Sequence, residues 1–175
     1  MRCLFVLLVL LLSAAPAWSG DRSDRFFELY DLDGHLFSLA RVAGEEGVRL
    51  VAVDFFWDGC EPCRRALPEW KQLYSRYKEK GLRVVVVDVR ASDDLPAARR
   101  KLRDYFAANP MPFPVVFDKY NLVARQFGVV TGDGTVTLPQ IFLLAPDGKT
   151  LLKTGSFEEA ARMVQEVLEE ARPPH

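Results

Sequence analysis

The chain has 175 residues, of which 49% are hydrophobic and 27% are charged. This length and balance predict one soluble globular domain with a full-sized core. Its 23 Lys and Arg residues are matched by 24 Asp and Glu residues, so no basic excess indicates nucleic acid or an anionic membrane surface as a partner.

The first 19 residues predict a secretory signal peptide. Arg2 supplies a positive charge, an apolar run follows over residues 3–12, and Ala15-Pro16-Ala17 fits an A-x-A cleavage signal. The apolar run is shorter than the roughly 20 residues that a membrane-spanning helix needs. The alternative is an uncleaved N-terminal anchor. Both interpretations export residues 20–175, which we expect to form a single domain, periplasmic or tethered outside the cytoplasmic membrane.

The segment after the signal predicts a β-hairpin, and two buried strands follow further along the chain. The hairpin covers residues 26–40, with Asp33-Gly34 at its turn and Leu39 in the returning strand. Dense apolar runs over 48–56 and 82–90 are typical of central strands that are covered on both faces.

A helix is predicted between these two strands, because apolar residues recur at three- and four-residue spacing over 61–80. Pro68 lies inside it and predicts a kink. The charged cluster over 93–104 is typical of a solvated helix face. After residue 90 the pattern predicts a helix over 94–108, a strand over 113–118, a short helix over 121–128, two strands around the turn at 146–148 and a helix over 157–171. This alternation predicts an α/β fold with a mixed central sheet flanked by helices.

The cysteines favour redox chemistry over metal binding or a structural crosslink. Cys3 lies in the predicted signal, which leaves Cys60 and Cys63 in the exported part. Zinc needs four ligands, and only His35 and His175 remain as partners, neither of them close in sequence to the pair. Copper binding by soft ligands is disfavoured for the same reason. A crosslink that closes two residues removes little unfolded-state entropy, so a purely structural disulfide is a poor explanation.

The position of the pair before a helix suits a reactive dithiol. Cys60 directly precedes the predicted helix, whose positive N-terminal end stabilises a thiolate and lowers the pKa of a cysteine there. Cys63 falls in the first turn, and Pro62 sits where its missing N–H costs nothing. The first cysteine can then attack a partner disulfide and the second can resolve the mixed disulfide.

At these residues the sequence resembles the thioredoxin superfamily over roughly residues 48–171. The strand "VAVDFFW" leads directly into "DGCEPC". Four further residues fall where the superfamily has a buried acid, a helix-kinking proline, a cis-proline that faces the cysteines and a glycine near the substrate groove: Asp54, Pro68, Pro139 and Gly155. The resemblance implies a thioredoxin-like fold.

Two features are similar to a narrower group, the exported TlpA/ResA-like thiol–disulfide reductases. One is the hairpin "LYDLDGHLFSL", and the other is the extra helix and strand between "VVVVDV" and "QFGVV". Glu61-Pro62 between the cysteines also fits. The resemblance implies a monomer that reduces disulfides of extracytoplasmic client proteins, in cytochrome c maturation or related pathways, and that a membrane electron donor re-reduces. It implies a redox-active Cys60–Cys63 disulfide, no metal and no other cofactor.

The resemblance also implies roles for the residues around the pair. Asp54 would accept the proton of Cys63, and Leu138 would offer its backbone to a peptide that binds against Pro139. The sequence departs from the family at Gly59, where a tryptophan is usual, and the small residue is expected to open the rim.

Further residues are expected to adjust the site. Trp57 is expected to contact substrate at the rim, and Glu61 and Pro62 to tune the redox potential. Ala66 stands where some of these reductases carry a glutamate, which would leave the acid–base role to Asp54. The loop over 130–137 is longer than usual and is expected to lie near the cysteines.

Three alternatives stay open from the sequence. The same dithiol serves disulfide oxidants and isomerases, and the fold also serves non-catalytic binding or chaperone modules. A peroxidase is the third, because peroxiredoxins share the hairpin. Their nucleophile lies in a P-x-x-x-[ST]-x-x-C context, whereas here Phe56 stands four residues before Cys60 and no Ser or Thr stands three before it.

Overall fold

The computed structural model describes residues 25–89 and 94–169. The predicted signal peptide or anchor, residues 1–19, lies outside the described residues, as does His175. Within the described part of the chain, no helix is both long and apolar enough to cross a bilayer.

The elements follow the predicted order, with one additional helix, α1, after the hairpin. They are β1 Glu28–Tyr30, β2 Leu36–Ser38, α1 Leu39–Ala43, β3 Leu50–Phe56, α2 Glu61–Tyr77, β4 Leu82–Val89, α3 Leu95–Ala108, β5 Val115–Asp118, α4 Leu122–Gln126, β6 Gln140–Leu144, β7 Thr150–Thr154 and α5 Phe157–Glu169. A 3-10 turn over Lys78–Lys80 extends α2, and Pro68 lies inside that helix. The kink expected at Pro68 stays a prediction.

Five strands form one mixed sheet in the order β5-β4-β3-β6-β7. Strand β3 pairs in parallel with β4, and β4 pairs in parallel with β5, while β6 runs antiparallel to both β3 and β7. All seven residues of β3 are buried, because the strand is central and covered on both faces. The predicted thioredoxin-like sheet is confirmed.

Alternate residues of β3 feed two separate cores. Leu50, Ala52 and Phe56 belong to the core beneath α2, α3 and α5. Val51, Val53 and Phe55 belong to the core on the other face, under the hairpin, α1 and α4. Since side chains alternate along a strand, Asp54 shares the α2 side of the sheet with Leu50, Ala52 and Phe56. The strand thereby places its acid in the same layer as the C-x-x-C helix.

The N-terminal hairpin is confirmed, with β1 and β2 antiparallel and Leu29 opposite Phe37. One expectation is wrong: Leu39 begins helix α1 and does not continue the strand. The Leu39 N–H donates to the Phe27 carbonyl at 3.0 Å and its side chain is fully buried. The pairing of β1 with β2 therefore ends after three residue pairs, and the chain enters α1 where Leu39 is buried.

Candidate active site

The two cysteines form a disulfide at the start of α2, with their Cα atoms 5.3 Å apart. Cys60 is the N-cap residue, and its Sγ accepts a hydrogen bond from the Cys63 N–H at 3.3 Å. Cys60 is partly exposed, whereas Cys63 is fully buried. An incoming disulfide can therefore reach Cys60 but not Cys63, and a thiolate on Cys60 would face the positive end of a 17-residue helix.

Asp54 lies in the layer behind the disulfide and is 1% exposed. Burial raises the pKa of Asp54 to about 8, and the nearby Trp70 indole offsets only part of that rise. Neither Asp54 Oδ2 nor Trp70 Nε1 completes a hydrogen bond with a described residue. The carboxyl is thus stabilised in its protonated form and holds a proton about as tightly as a thiol does.

A cavity of about 290 Å³ connects this acid to the surface. Its lining residues include Asp54, Pro62 and Ala66 from β3 and α2, and Pro139 and Gly155 from the segments that flank β6 and β7. Because Ala66 carries no carboxyl group, it brings no second acid to the lining at that position. The cavity gives a proton on Asp54 a route to solvent.

The mouth of the cavity carries charged residues that sequence reasoning missed. Arg65, Glu69 and Glu158 line it, and all three are exposed. The signal for Glu69 was present, because it follows Ala66 by three residues and therefore falls on the same face of the helix. Glu158 comes from α5, and no local pattern connects it with the cysteines.

The loop before β6 presents Leu138 and Pro139 beside the cavity, and the peptide bond between them is cis. Gly155, at the end of β7, packs against this loop. A Cβ at Gly155 would lie 3.2 Å from the Pro139 carbonyl oxygen, so a side chain there would make a tight contact with this loop. The roles of Leu138 and Pro139 in substrate binding stay predictions.

Trp57 and Gly59 form one unit at the rim. Trp57 is 47% exposed, and its indole lies over Gly59 so closely that a Cβ there would be 2.5 Å from the ring. A turn closed by the Cys60 N–H and the Trp57 carbonyl at 2.9 Å brings the two residues together. Gly59 was expected to open the rim, but the indole of Trp57 fills that space. The sequence could not show this, because the indole reaches Gly59 only once the turn has formed.

Asp58, between those two residues, ties the cysteine loop to α3. It is 7% exposed, and its carboxylate pairs with the Lys101 ammonium at 2.7 Å. Its carbonyl also accepts a hydrogen bond from the Arg64 guanidinium at 2.9 Å. Sequence reasoning missed this contact, because Lys101 lies 43 positions from Asp58 and no short-range pattern relates them. The contact fixes the loop that holds Cys60.

Glu61 lies on the exposed surface between the cysteines and pairs with Arg65 at 2.8 Å. Both side chains are about two-thirds exposed, at 67% and 69%, so solvent screens the pair and its energy is at most about 1 kcal/mol. Pro62 occupies the first turn of α2 as expected. That Glu61 and Pro62 tune the redox potential stays a prediction.

The loop over 130–137 is a compact turn. A bridge joins Val130 and Val136, and the Asp133 carboxylate accepts hydrogen bonds from the Thr131 hydroxyl and the Thr135 N–H. These bonds lower the pKa of Asp133 to about 2. The loop runs directly into Leu138, so its shape sets the entry to the cis peptide.

Among the described residues, three potential metal ligands come together at one place. Asp31, Asp33 and His35 share the hairpin turn, with their ligand atoms within 4.8 Å of one another. Asp31 Oδ1 already accepts hydrogen bonds from the Asp33 and His35 N–H groups. The group belongs to the turn and includes neither cysteine.

Solved structures share this fold. A chain from Chlorobium tepidum described as thiol:disulfide interchange protein DsbE is 27% identical, with a TM-score of 0.65, and the match covers 83% of this chain and 92% of that one. A thiol:disulfide interchange protein from Bacteroides sp. is 22% identical with a TM-score of 0.67, and the match covers 86% and 90% of the two chains.

Curated relatives carry a related name. Thiol-disulfide oxidoreductase ResA of Bacillus thuringiensis subsp. konkukian (strain 97-27) is 28% identical over 147 residues, which cover 84% of this chain and 75% of the relative. ResA of Halalkalibacterium halodurans is 29% identical over 148 residues, which cover 84% and 74%. With the sheet and the C-x-x-C pair, these likenesses define the class as a thioredoxin-like thiol–disulfide oxidoreductase.

The family follows from a match that spans most of the chain. A model of the AhpC/TSA family matches residues 21–151, and the chain belongs to that family.

Proposed function

We propose that this protein is an exported reductant of disulfide bonds in extracytoplasmic client proteins. The observation that carries the proposal is the asymmetry of the pair. Cys60 is partly exposed at the helix N-cap, and Cys63 is buried on the side of the sheet that holds Asp54. Such an arrangement separates an attacking thiol from a resolving thiol.

The reaction starts from the reduced enzyme. The Cys60 thiolate attacks one sulfur of the client disulfide, a mixed disulfide forms, and the other client sulfur leaves as a thiolate. Cys63 then loses its proton, attacks the Sγ of Cys60 and releases the second client thiolate. The client gains two electrons, and the enzyme is left with the Cys60–Cys63 disulfide.

Asp54 is the proton acceptor for Cys63 in this scheme. Its pKa of about 8 is close to the ordinary thiol pKa of about 8.5, so the two groups can exchange a proton at little cost, and a general acid–base group works best when its pKa lies near the operating pH. The cavity beside it lets the proton leave for solvent. No other buried carboxylate lines that cavity among the described residues.

The client segment would bind across the cis-proline loop. The backbone of Leu138 and the ring of Pro139 would receive it on one side, and the exposed indole of Trp57 on the other. A membrane electron donor would restore the dithiol, with the protein acting as a monomer. The predicted signal at residues 1–19 supports an extracytoplasmic place, and the resemblance of the sequence to the TlpA/ResA-like reductases supports a role in cytochrome c maturation or a related pathway.

A trapping experiment tests the nucleophile. The Cys63→Ala variant should accumulate mixed disulfides with client proteins through Cys60, seen as bands that disappear on non-reducing gels after dithiothreitol. The matched Cys60→Ala variant, with its remaining thiol buried, should accumulate none. Adducts that form equally with both variants would contradict the assignment of Cys60.

The direction of electron flow has its own test, which is the equilibrium reduction potential in glutathione or dithiothreitol buffers. A reductant should have a potential well below that of a strong oxidant, which is about −120 mV. A value near that figure would assign the protein to disulfide formation. Failure to turn over any disulfide would leave the non-catalytic binding module as the function.

A further inference from the structure

A cavity away from the cysteines lies between the hairpin and α3. It is a groove of about 710 Å³. Its lining residues, which we call the basic groove, are Tyr30, Gly34, Leu95, Pro96, Arg99, Arg100, Arg103, Phe117 and Lys119. Four of them are cationic and none is acidic. The basic groove also has an aromatic part, formed by the buried side chain of Phe117 and the side chain of Tyr30, which is 60% exposed.

The cations of the basic groove are not neutralised by carboxylates of the described residues. Arg99 and Arg103 donate to the backbone carbonyls of Asp31 and Leu32, at 3.5 and 3.0 Å, and these acceptors carry no net charge. Arg99 Nε is buried without a hydrogen-bond partner in the described structure. Arg100 and Lys119 are exposed and form no ion pair with a described residue within 4.0 Å.

Two acids that adjoin lining residues in sequence are engaged in local hydrogen bonds. Asp94 caps α3 by accepting from the Ala97 N–H at 3.0 Å. Asp118 is buried, and its two oxygens accept from the N–H groups of Leu122 and Ala124. The residues that line the basic groove therefore carry an excess of positive charge, on a chain whose net charge is only −1.

The basic groove lies at the same end of the sheet as the cysteines. Strands β3, β4 and β5 are parallel, and Cys60, the N-terminus of α3 and Lys119 all follow their carboxyl ends. β5 is two strands from β3, which is about 10 Å. The α3 helix that supplies Arg99, Arg100 and Arg103 also supplies Lys101, which contacts Asp58 in the cysteine loop at 2.7 Å.

We propose that the basic groove binds an acidic segment of the disulfide-bearing client, which rests on the function proposed above. Carboxylates of the client would pair with Arg100 and Lys119 at the rim. Its apolar side chains would contact Tyr30 and Phe117. The groove raises the rate of encounter, because opposite charge near a reactive site steers association, while the chemistry stays at Cys60.

The test uses two synthetic peptides, each with one internal disulfide and a flexible Gly/Ser linker of about ten residues, which spans about 17 Å. One peptide ends in five glutamates and the other in five lysines. The reduced protein is mixed with each peptide in stopped flow, and peptide reduction is followed at low and at high salt. The glutamate peptide should react about tenfold faster at low salt, and high salt should abolish most of this preference.

Charge reversal identifies the surface. The double variant Arg100→Glu with Lys119→Glu should lose the preference for the glutamate peptide. It should still reduce both peptides, each at least as fast as the wild type reduces the lysine peptide. The matched control is Lys80→Glu with Lys149→Glu, which changes the net charge equally. These residues are exposed and lie at the opposite end of the sheet, before β4 and between β6 and β7, so the control should keep the preference.

The outcomes separate the two proposals. Reduction of neither peptide contradicts the proposed reductase, whereas equal reduction of both peptides contradicts only the basic groove. Equal loss of preference in the control variant also overturns it, because net charge would then be the cause. The last measurement is binding to vesicles with 30% anionic lipid. If the wild type binds these vesicles, the double variant does not, and the wild type shows no preference between the peptides, the surface is assigned to a membrane and the proposal is overturned.

Discussion

At Asp54, burial opposes ionisation of the carboxyl group that is proposed to accept a proton. Its pKa is about 8 in the folded protein against an ordinary value of 3.8, so the folded state binds this proton more tightly than the unfolded chain does. The unfolding free energy contributed by this group is therefore fully present at low pH and falls as the pH rises from about 4 to about 8, by roughly 1.4 kcal/mol per pH unit.

The Asp54→Asn variant should lack this fall. We compare the unfolding free energies of the oxidised variant and the oxidised wild type at pH 5 and at pH 7. The difference between them should shift by about 2 to 3 kcal/mol in favour of the variant from pH 5 to pH 7, because asparagine carries no charge to bury. Urea denaturation at the two pH values measures the gain.

The matched control is Asp133→Asn. The pKa of Asp133 is lowered to about 2, so its carboxylate is ionised in both folded and unfolded states above pH 5, and its removal should not alter the pH dependence. Parallel curves for wild type and Asp54→Asn would show that Asp54 is already charged at pH 5.

Trp57 and Gly59 form the second pair at the residue scale. Gly59→Ala places a methyl group where the indole lies, 2.5 Å from the ring. Because the indole is 47% exposed, it should swing outward at a cost below about 1 kcal/mol. Acrylamide should then quench the tryptophan fluorescence more strongly than in the wild type, since Trp70 is fully buried.

A double-mutant cycle isolates this contact. In a Trp57→Ala background, Gly59→Ala should change neither stability nor quenching, because nothing then covers residue 59. Unchanged quenching in the single variant would mean that the indole does not depend on the glycine.

At the scale of elements, one glycine allows α2 and β4 to join. Gly81 has φ 99° and follows the 3-10 turn, and a Cβ there would lie 2.3 Å from the Gly47 carbonyl oxygen. Gly81→Ala would introduce both the strain of a left-handed backbone at alanine and a clash with the backbone of Gly47. We expect the unfolding free energy, measured by urea denaturation, to fall by about 2 to 4 kcal/mol.

Gly128 is the comparison for this prediction. It also has positive φ, at 67°, but a Cβ there meets nothing within 4 Å. Gly128→Ala should cost about 1 kcal/mol from strain alone. Equal losses at both glycines would show that the contact with Gly47 is relieved by backbone movement.

The elements also show where local patterns were sufficient. The runs that became β3 and β4 are apolar on both faces, and the repeat of α2 is long, so each was predicted within a few residues. Helix α1 was not predicted, because its five residues are too few to show a helical repeat. What starts it is the burial of Leu39 against the hairpin, which is a tertiary contact.

At the scale of the whole molecule, the hairpin is part of the second core. Phe27 is 7% exposed and its ring centroid lies 6.0 Å from those of both Phe37 and Phe127. Phe27→Ala should therefore lower the unfolding free energy by about 3 to 5 kcal/mol in a single transition. Leu36→Ala, at a residue that is 51% exposed, should change it by less than about 0.5 kcal/mol. A small loss at Phe27, or a separate early transition, would show that the hairpin folds independently of the sheet.

The sequence by itself determined the order of the elements apart from α1, the mixed α/β sheet and the C-x-x-C pair before a helix. These follow from periodicity and spacing, which are short-range properties of the chain. It also indicated Asp54 and Pro139, although only through a resemblance that links positions far apart.

Only the tertiary structure decided what surrounds those residues. It placed the Trp57 indole on Gly59, the Lys101 ammonium on Asp58, and Glu158 at the mouth of the Asp54 cavity. It also turned the charged face of α3 into one wall of the basic groove. Each of these contacts joins side chains through a turn, across helices or across the sheet, and their positions exist only after the two cores have packed.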